Sequence, residues 1–277
     1  VVNVTDGAVD WQAQPTVTVA TLAGDLRRLG LAEGSTVLVH SSLSRLGRVE
    51  GGADAVIDAL LAAVGPGGTV LFPTLTGTED DGPETPPVID VRASPCWTGR
   101  IPETARQRAG AIRSLHPTHS IAALGADAAR YAAGHETGQT PCDVRSPYYR
   151  LIREGGFILL LGDVTQDSNT SLHCVEELAE APYHLQPYPT DGVVIDAQGE
   201  RIVVRNRLHL WGWERDFPRV DAPLDAAGAM RDGRVGASTS TLIAARPFAE
   251  VLLPLLREDP LYLLSEEARE AYLAAAG

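Results

Sequence analysis

At the start of the chain the apolar positions switch between two rhythms. Val19, Leu22, Leu26 and Leu29 recur at helical spacing and stop at Gly30, a residue suited to the left-handed turn that closes a helix. The apolar stretch Ser35–His40 predicts a buried strand. After a turn rich in glycine (Gly47, Gly51, Gly52), a helix is expected from about Ala53 to Val64, then the breaker Gly65-Pro66-Gly67-Gly68 and a second strand, Thr69–Phe72. Strand, helix, strand in that order predicts two parallel strands joined by a right-handed crossover.

From Pro73 to Pro102 the pattern turns polar and proline-rich. That stretch is too long for an idle connector, so it is a functional loop or a lid, the former being favoured. Beyond it we expect a short helix at Ile101–Arg108, an apolar segment at Ser120–Leu124, a helix at Pro147–Glu154 and a buried strand at Phe157–Leu161, ended by Gly162. A helix from about Ser168 to Ala181 follows, then a hairpin-like pair, Val193–Asp196 and Arg201–Val204, and an amphipathic helix from about Arg246 to Glu258. The pattern predicts an α/β fold: a central, mostly parallel sheet with helices on both faces and a smaller β-containing C-terminal part. A single domain over residues 10–272 is expected, in two closely packed lobes with the second from about 185, behind an N-terminal arm at 1–9.

Composition narrows the chemistry. The 277 residues are 44% hydrophobic, enough for a large core, and no apolar run reaches the roughly 20 residues of a membrane span. The start has neither basic cluster nor apolar signal core, and three scattered cysteines (Cys96, Cys142, Cys174) suggest no disulfide framework, so a soluble cytoplasmic protein without a membrane partner is expected. Acidic residues number 36 against 23 basic ones, a formal net charge of −13, and every basic residue is arginine. The lack of lysine rules out a Walker lysine, a Schiff-base lysine and a Ser/Lys dyad. The negative field disfavours nucleic acid and favours cationic ligands.

The segment richest in chemistry is Asp167–Glu180, directly after the strand at 157–161. At about 100° per residue, Leu172, Val175, Leu178 and Ala179 share one face, while His173, Glu176, Glu177 and Glu180 share the other. An imidazole among carboxylates suits a general base, with Glu176 the first choice to fix its tautomer. The helix starts beyond a strand's carboxyl end, where open α/β sheets bind ligands. Ser41 and Ser42, and Thr74, follow two other strand ends, as ligand partners or as turn caps. His116, held extended by Pro117, is either a cleft residue or a structural one. No metal-ligand spacing such as H-E-x-x-H, no G-x-S-x-G elbow and no G-x-G-x-x-G occurs, so no metal is expected.

Several blocks together resemble the aminoglycoside 3-N-acetyltransferase family. They are Leu38-Val39-His40-Ser41-Ser42-Leu43-Ser44-Arg45-Leu46-Gly47 with Gly51-Gly52-Ala53, then Gly65-Pro66-Gly67-Gly68-Thr69-Val70 and Thr98-Gly99-Arg100-Ile101-Pro102-Glu103. His116-Pro117-Thr118-His119-Ser120, Ser146-Pro147-Tyr148, Gly155–Gly162 and Asn169–Tyr183 complete the set, so the likeness runs from about residue 19 to 190. The resemblance implies transfer of acetyl from acetyl-CoA to the 3-amine of a deoxystreptamine-type aminoglycoside, conferring antibiotic resistance, on a fold distinct from the common small acetyltransferases. It makes His173 the base, Glu176 its orienter and Thr170 a donor to the developing oxyanion. Ser41, Ser42, Leu43, Gly47, Thr74 and Ser171 then hold the CoA arm, and His116, Glu180, Glu177 and Asp80 face the cationic antibiotic.

Leu208–Pro218 and the acidic loop Glu79-Asp80-Asp81 fit no family pattern, which leaves substrate choice to them. The competing readings are an acyltransferase of the same fold acting on an amine of secondary metabolism, and a non-catalytic CoA- or polyamine-binding protein. Direct transfer is expected rather than a relay through Cys174, in a monomer or homodimer.

Overall fold

The computed structural model describes residues 16–276; the arm expected at 1–9 and the first residues of the domain lie outside them. Two short strands, β1 (Thr16–Val17) and β3 (Arg48–Val49), pair in parallel and flank α1 (Val19–Leu29) and β2 (Thr36–Ser41). Thr18 caps α1 by accepting a hydrogen bond from the Thr21 N–H, and Gly30 closes it with φ 121°. Then come α2 (Gly52–Val64), β4 (Thr69–Pro73), β5 (Val88–Asp90), α3 (Arg100–Gln107), β6 (Ile112–Arg113), β7 (Ile121–Gly125), α4 (Ala128–Ala132), α5 (Pro147–Glu154) and β8 (Phe157–Leu161). The remainder is α6 (Ser171–Leu178), β9 (Thr190–Ile195), β10 (Arg201–Asn206), α7 (Asp221–Ala226), β11 (Met230–Val235), β12 (Ser238–Ala244), α8 (Ala245–Glu258) and α9 (Glu266–Ala276).

The main sheet has the order β11-β12-β8-β2-β4-β7-β6. Its centre, β8-β2-β4, is parallel, as the strand–helix–strand pattern predicts. The outer pairs are antiparallel, yet β11, β8, β2, β4 and β6 all run one way and only β12 and β7 run against them. Side chains alternate faces with period two. Val37 and Val39 of β2, with Leu159 and Leu161 of β8, pack under α1 and α2. Leu38, Ile158 and Leu160 pack against α5, α6 and α8 on the opposite face. Each such fully buried aliphatic side chain contributes roughly 1.5–3 kcal/mol. The same alternation turns His40 to the α6 face.

A second sheet, β10-β9-β5, combines the expected hairpin with a strand from the proline-rich 73–102 stretch. Residues from both sides of position 185 therefore enter each sheet. Ile89, Val194 and Val204 form its small core, while α9 packs on Tyr183 and Leu264. Among the described residues no helix is long and apolar enough to cross a membrane.

Candidate active site

The carboxyl ends of β2 and β4, with the segment that follows β8, open onto one cleft of about 360 Å³, where open α/β sheets place their ligands. Val39, His40 and Ser41 supply one wall and Pro73, Leu75, Trp97 and Thr98 a second. Asp167, Asn169, Thr170 and His173 supply the third. Trp97 is fixed at the mouth by its indole N–H, which donates to the Gly77 carbonyl at 2.9 Å. Beneath that loop the buried Arg113 donates to the carbonyls of Ser94 and Thr74, tying it to the sheet.

The helix carrying His173 is shorter than its sequence pattern suggests. A 3-10 turn, Gln166–Ser168, leads to Asn169, whose extended backbone breaks the helical path and whose side-chain oxygen accepts from the Ser171 N–H at 3.1 Å. At the far end Glu180 adopts a left-handed φ of 58°. The turn thus leaves α6 before Glu180, which is exposed and outside the cleft lining.

His173 is 24% exposed, and its Nδ1 lies 2.7 Å from Glu176 Oε2. The carboxylate is fully buried; His184 Nδ1 stands 3.1 Å from it and Arg215 Nε 3.4 Å. Burial alone would raise Glu176, but His184, His173 and Arg215 around it hold it well below the usual carboxylate range. It is an ionised group whose one partner at the cleft is His173. With Nδ1–H donated to the carboxylate, Nε2 of His173 is left as an acceptor. Phe217 meets the same ring edge-on at 5.5 Å.

Glu177, one residue on, has the opposite character. Its carboxyl accepts from the Cys142 N–H and the Thr140 hydroxyl and lies 2.7 Å from His209 Nε2. Burial pushes it up to about 8, while burial pushes His209 well below its ordinary value. The two make a neutral hydrogen-bonded pair rather than an ion pair. The helical projection that put Glu176 and Glu177 on an open face fails because α6 is covered on that side by the segments carrying His184, His209 and Arg215.

The other predicted residues fall in several places. Thr170 lines the cleft next to His173, as does Ser41 at the end of β2. Among the described residues the buried Ser41 hydroxyl and His40 Nε2 have no hydrogen-bond partner, and Ser171 Oγ is similarly orphaned one residue beyond Thr170. Ser42 is half-buried and bonds Leu161 through its backbone N–H. Leu43 faces a neighbouring groove with Gly51, Gly52, Arg100 and Arg108, and Gly47 closes the 3-10 turn after β2 with φ 87°. Thr74 and His116 are not cleft residues. Thr74 is fully buried and bonds Ser120, and the buried His116 accepts from the Thr118 and His119 N–H groups while its Nε2 meets Asn206. The Pro117 turn folds the His116 ring inward. Asp80 is exposed and outside the cleft lining.

Sequence reasoning missed His40, His184, His209 and Arg215. His40 sits inside a quoted block, and its place at a strand end was the available signal. The last two lie in the Leu208–Pro218 stretch that fitted no pattern.

An imidazole backed by a buried, ionised carboxylate and opening on a cleft at the ends of parallel strands defines an acid–base enzyme on an α/β sheet. The chain belongs to the aminoglycoside 3-N-acetyltransferase family, whose model matches residues 38–257. It is 36% identical to aminoglycoside N(3)-acetyltransferase VII of Streptomyces paromomycinus, across 83% of this chain and 88% of that protein. It is 33% identical to aminoglycoside N(3)-acetyltransferase IV of a Salmonella species, across 88% and 89%. Among solved structures, the apoenzyme of aminoglycoside acetyltransferase AAC(3)-IVa superposes with a TM-score of 0.76 at 31% identity, across 92% of this chain and 95% of that one. AAC-IIIb in binary complex with CoASH superposes at 0.74 and 30% identity, across 88% and 97%. The fold is thus that of these acetyltransferases and not of the common small ones.

Proposed function

We propose that this protein transfers acetyl from acetyl-CoA to the 3-amine of a deoxystreptamine-type aminoglycoside by direct attack, and so confers resistance to the antibiotic. The observation that carries the reading is the His173–Glu176 pair at the cleft. Family membership supplies the reaction, and a related AAC(3)-IVa structure in complex with a gentamicin, at 30% identity and TM-score 0.77, supports the substrate class.

The co-substrate supplies an acetyl thioester. The orphaned His40 Nε2 and Ser41 Oγ, both on cleft-lining residues, fit the amides of its pantetheine arm, because a buried polar atom left unpaired costs about 1–3 kcal/mol. The groove at Leu43, Gly51 and Gly52, with Arg100 and Arg108, suits the phosphates further out.

His173 Nε2 takes the proton from the attacking amine as nitrogen bonds to the acetyl carbon, and Glu176 stabilises the imidazolium that forms. The carbon–sulfur bond then breaks, and the departing thiolate takes the proton from the His173 imidazolium, which restores the neutral base. Thr170, beside the base in the cleft wall, donates to the oxygen that gains charge. Asp167 gives the cleft an acidic edge, and with the net charge of −13 this favours a polycation.

The test is His173→Ala, assayed by thiol release with a panel of aminoglycosides, the acetylated position being read by NMR. A fall in kcat of roughly 10² to 10⁴ is expected. Near-normal turnover, or an acetyl group trapped on Cys174, would defeat the mechanism; acetylation only of amines outside this drug class would defeat the substrate assignment.

A further inference from the structure

The two oxygens of the buried Glu176 carboxylate are divided between two partners. Oε2 accepts from His173 Nδ1 at 2.7 Å, and Oε1 faces Arg215 Nε at 3.4 Å. His184 Nδ1 also stands 3.1 Å from Oε2, but that nitrogen accepts from Arg215 Nη2 at 3.2 Å and so has no proton to give the carboxylate. Two lone-pair atoms this close repel unless a cation lies beside both, and the guanidinium fork reaches the ring and the carboxylate together.

Arg215 is a fixed charge. Its side chain is only 14% exposed, Nη1 donates to the Trp213 carbonyl at 2.9 Å, and the guanidinium lies over the Tyr183 ring at 5.5 Å. The backbone is held too: Arg215 bridges Leu264, while the Asp216 N–H bonds the Leu263 carbonyl and the Ser265 N–H bonds the Glu214 carbonyl. We infer that Arg215 is a positioning residue for acetyl transfer: it turns Glu176 so that one oxygen aims at His173, and its charge offsets the carboxylate so that the ring rests uncharged.

That role presupposes His173 as the base. A buried carboxylate without a cation steadies the imidazolium during transfer, but it also favours the imidazolium in the resting enzyme, where a protonated ring cannot take a proton from the amine. A cation on the far oxygen reduces that preference and leaves the bond to Nδ1 in place.

Among the described residues no other group around the ring supplies this positive charge. His184, from the turn after α6, stacks on His173 at 5.2 Å; His209, from the 208–218 stretch, lies at 4.9 Å and His119, ahead of β7, at 6.4 Å. His40 of β2 lines the same cleft. Burial holds all four below their ordinary value, and they are neutral. Burial likewise keeps Tyr183, next to Glu176, protonated, and pushes Glu177, behind His209, up to about 8. Asp167, in the cleft wall, is exposed, so water screens its charge. What remains is Glu176 drawing a proton onto the ring and Arg215 opposing it.

The test compares Arg215→Gln, which keeps a donor and drops the charge, with Arg215→Lys, which keeps the charge and loses the fork. Both are studied below pH 8, where Glu177 stays protonated. First, without substrates, histidine labelled with ¹³C at Cε1 is followed by NMR across pH, the His173 signal being assigned by its absence in His173→Ala. Its midpoint is expected to rise by roughly one pH unit in Arg215→Gln and by less than about a third of that in Arg215→Lys.

Second, kcat/KM is measured over the same range. The acid limb is expected to move with the NMR midpoint, so that Arg215→Gln is roughly tenfold slower low on the limb and within about threefold of the parent near pH 8. A loss equal at every pH, with the NMR midpoint unmoved, makes Arg215 a strut and overturns the inference while leaving His173 as the base. A moved midpoint with an unmoved acid limb overturns it from the other side, because His173 is then not the base. Should Arg215→Gln melt below the assay temperature, Arg215→Met, which keeps the packing on Tyr183, replaces it; loss of fold in both also makes Arg215 a strut and overturns the inference.

Discussion

Replacing Glu176 with glutamine isolates the contribution of one buried charge. The side chain keeps its shape and its ability to hydrogen-bond His173 Nδ1, but the imidazolium formed during transfer loses its counter-ion. Charge centres about 4 Å apart interact by ~4 kcal/mol at an effective dielectric near 20, which is about three decades in rate. Arg215, 3.4 Å from the same carboxylate, already spends part of that charge, so the expected fall in kcat is roughly 10² to 10³. Because Glu176 is sealed from the cleft, KM for both substrates is expected to move by less than about threefold.

The buried cluster left around a neutral amide also loses stability, on the order of 3 kcal/mol, so a thermal melt must accompany the kinetics. Glu176→Asp restores the charge and is expected to recover at least tenfold over glutamine. A folded Glu176→Gln protein with kcat within about fivefold of the parent would refute the counter-ion argument.

Three further outcomes follow from the geometry. Burial works to raise Glu103, but its bonds from Arg106 and the Cys96 N–H win and draw it down to about 2. A depressed carboxyl stabilises the fold above its unfolded value of 4.5, and that contribution drains away as pH falls from 4.5 towards 2. Glu103→Gln is therefore expected to be less stable by ~2–3 kcal/mol at neutral pH and to show a flatter acid limb, measured by urea unfolding across pH; equal slopes in the two proteins would contradict this. At Gly162 the φ is 89° and a Cβ would stand 2.6 Å from the Ser42 carbonyl, so Gly162→Ala is expected to lower stability by about 1–3 kcal/mol, read as a shift in Tm. Trp97→Ala removes the wall at the cleft mouth but no proton-handling group, so KM is expected to rise roughly tenfold with kcat within about threefold in steady-state assays.

The parallel core was legible because its signals are local. Helices α1, α2 and α5 and strands β2, β4 and β8 each have an apolar rhythm bounded by a cap, a glycine or a proline, and their bounds fall within a residue or two of expectation. The hairpin β11–β12 was not legible. Its strand Met230–Val235 is mostly polar because it edges the sheet, and pairing with β8 rather than any apolar run holds Ser238–Ala244 in place.

The candidate site divides in the same way. His173 and Glu176 lie one helical turn apart and could be paired on paper. His184 and Arg215 reach Glu176 only through tertiary folding, and the reversal of Glu177 from solvent-facing acid to proton-holding partner depends on what covers α6. His116 shows the limit of a local rule: the proline after it fixed the backbone but not the direction of the ring, which Thr118, His119 and Asn206 decide.

Glu176 gathers its partners from three stretches of chain, with the entire β9–β10 hairpin between His184 and Arg215. A refolding molecule can thus recover its helical signal, and even an open cleft, while the base still lacks a settled counter-ion. Regain of turnover should lag the return of secondary structure and coincide with docking of the Trp213–Phe217 turn. Catalytic competence then serves as a clock for the last step of assembly, and a nick in that turn should silence the enzyme without unravelling its sheet.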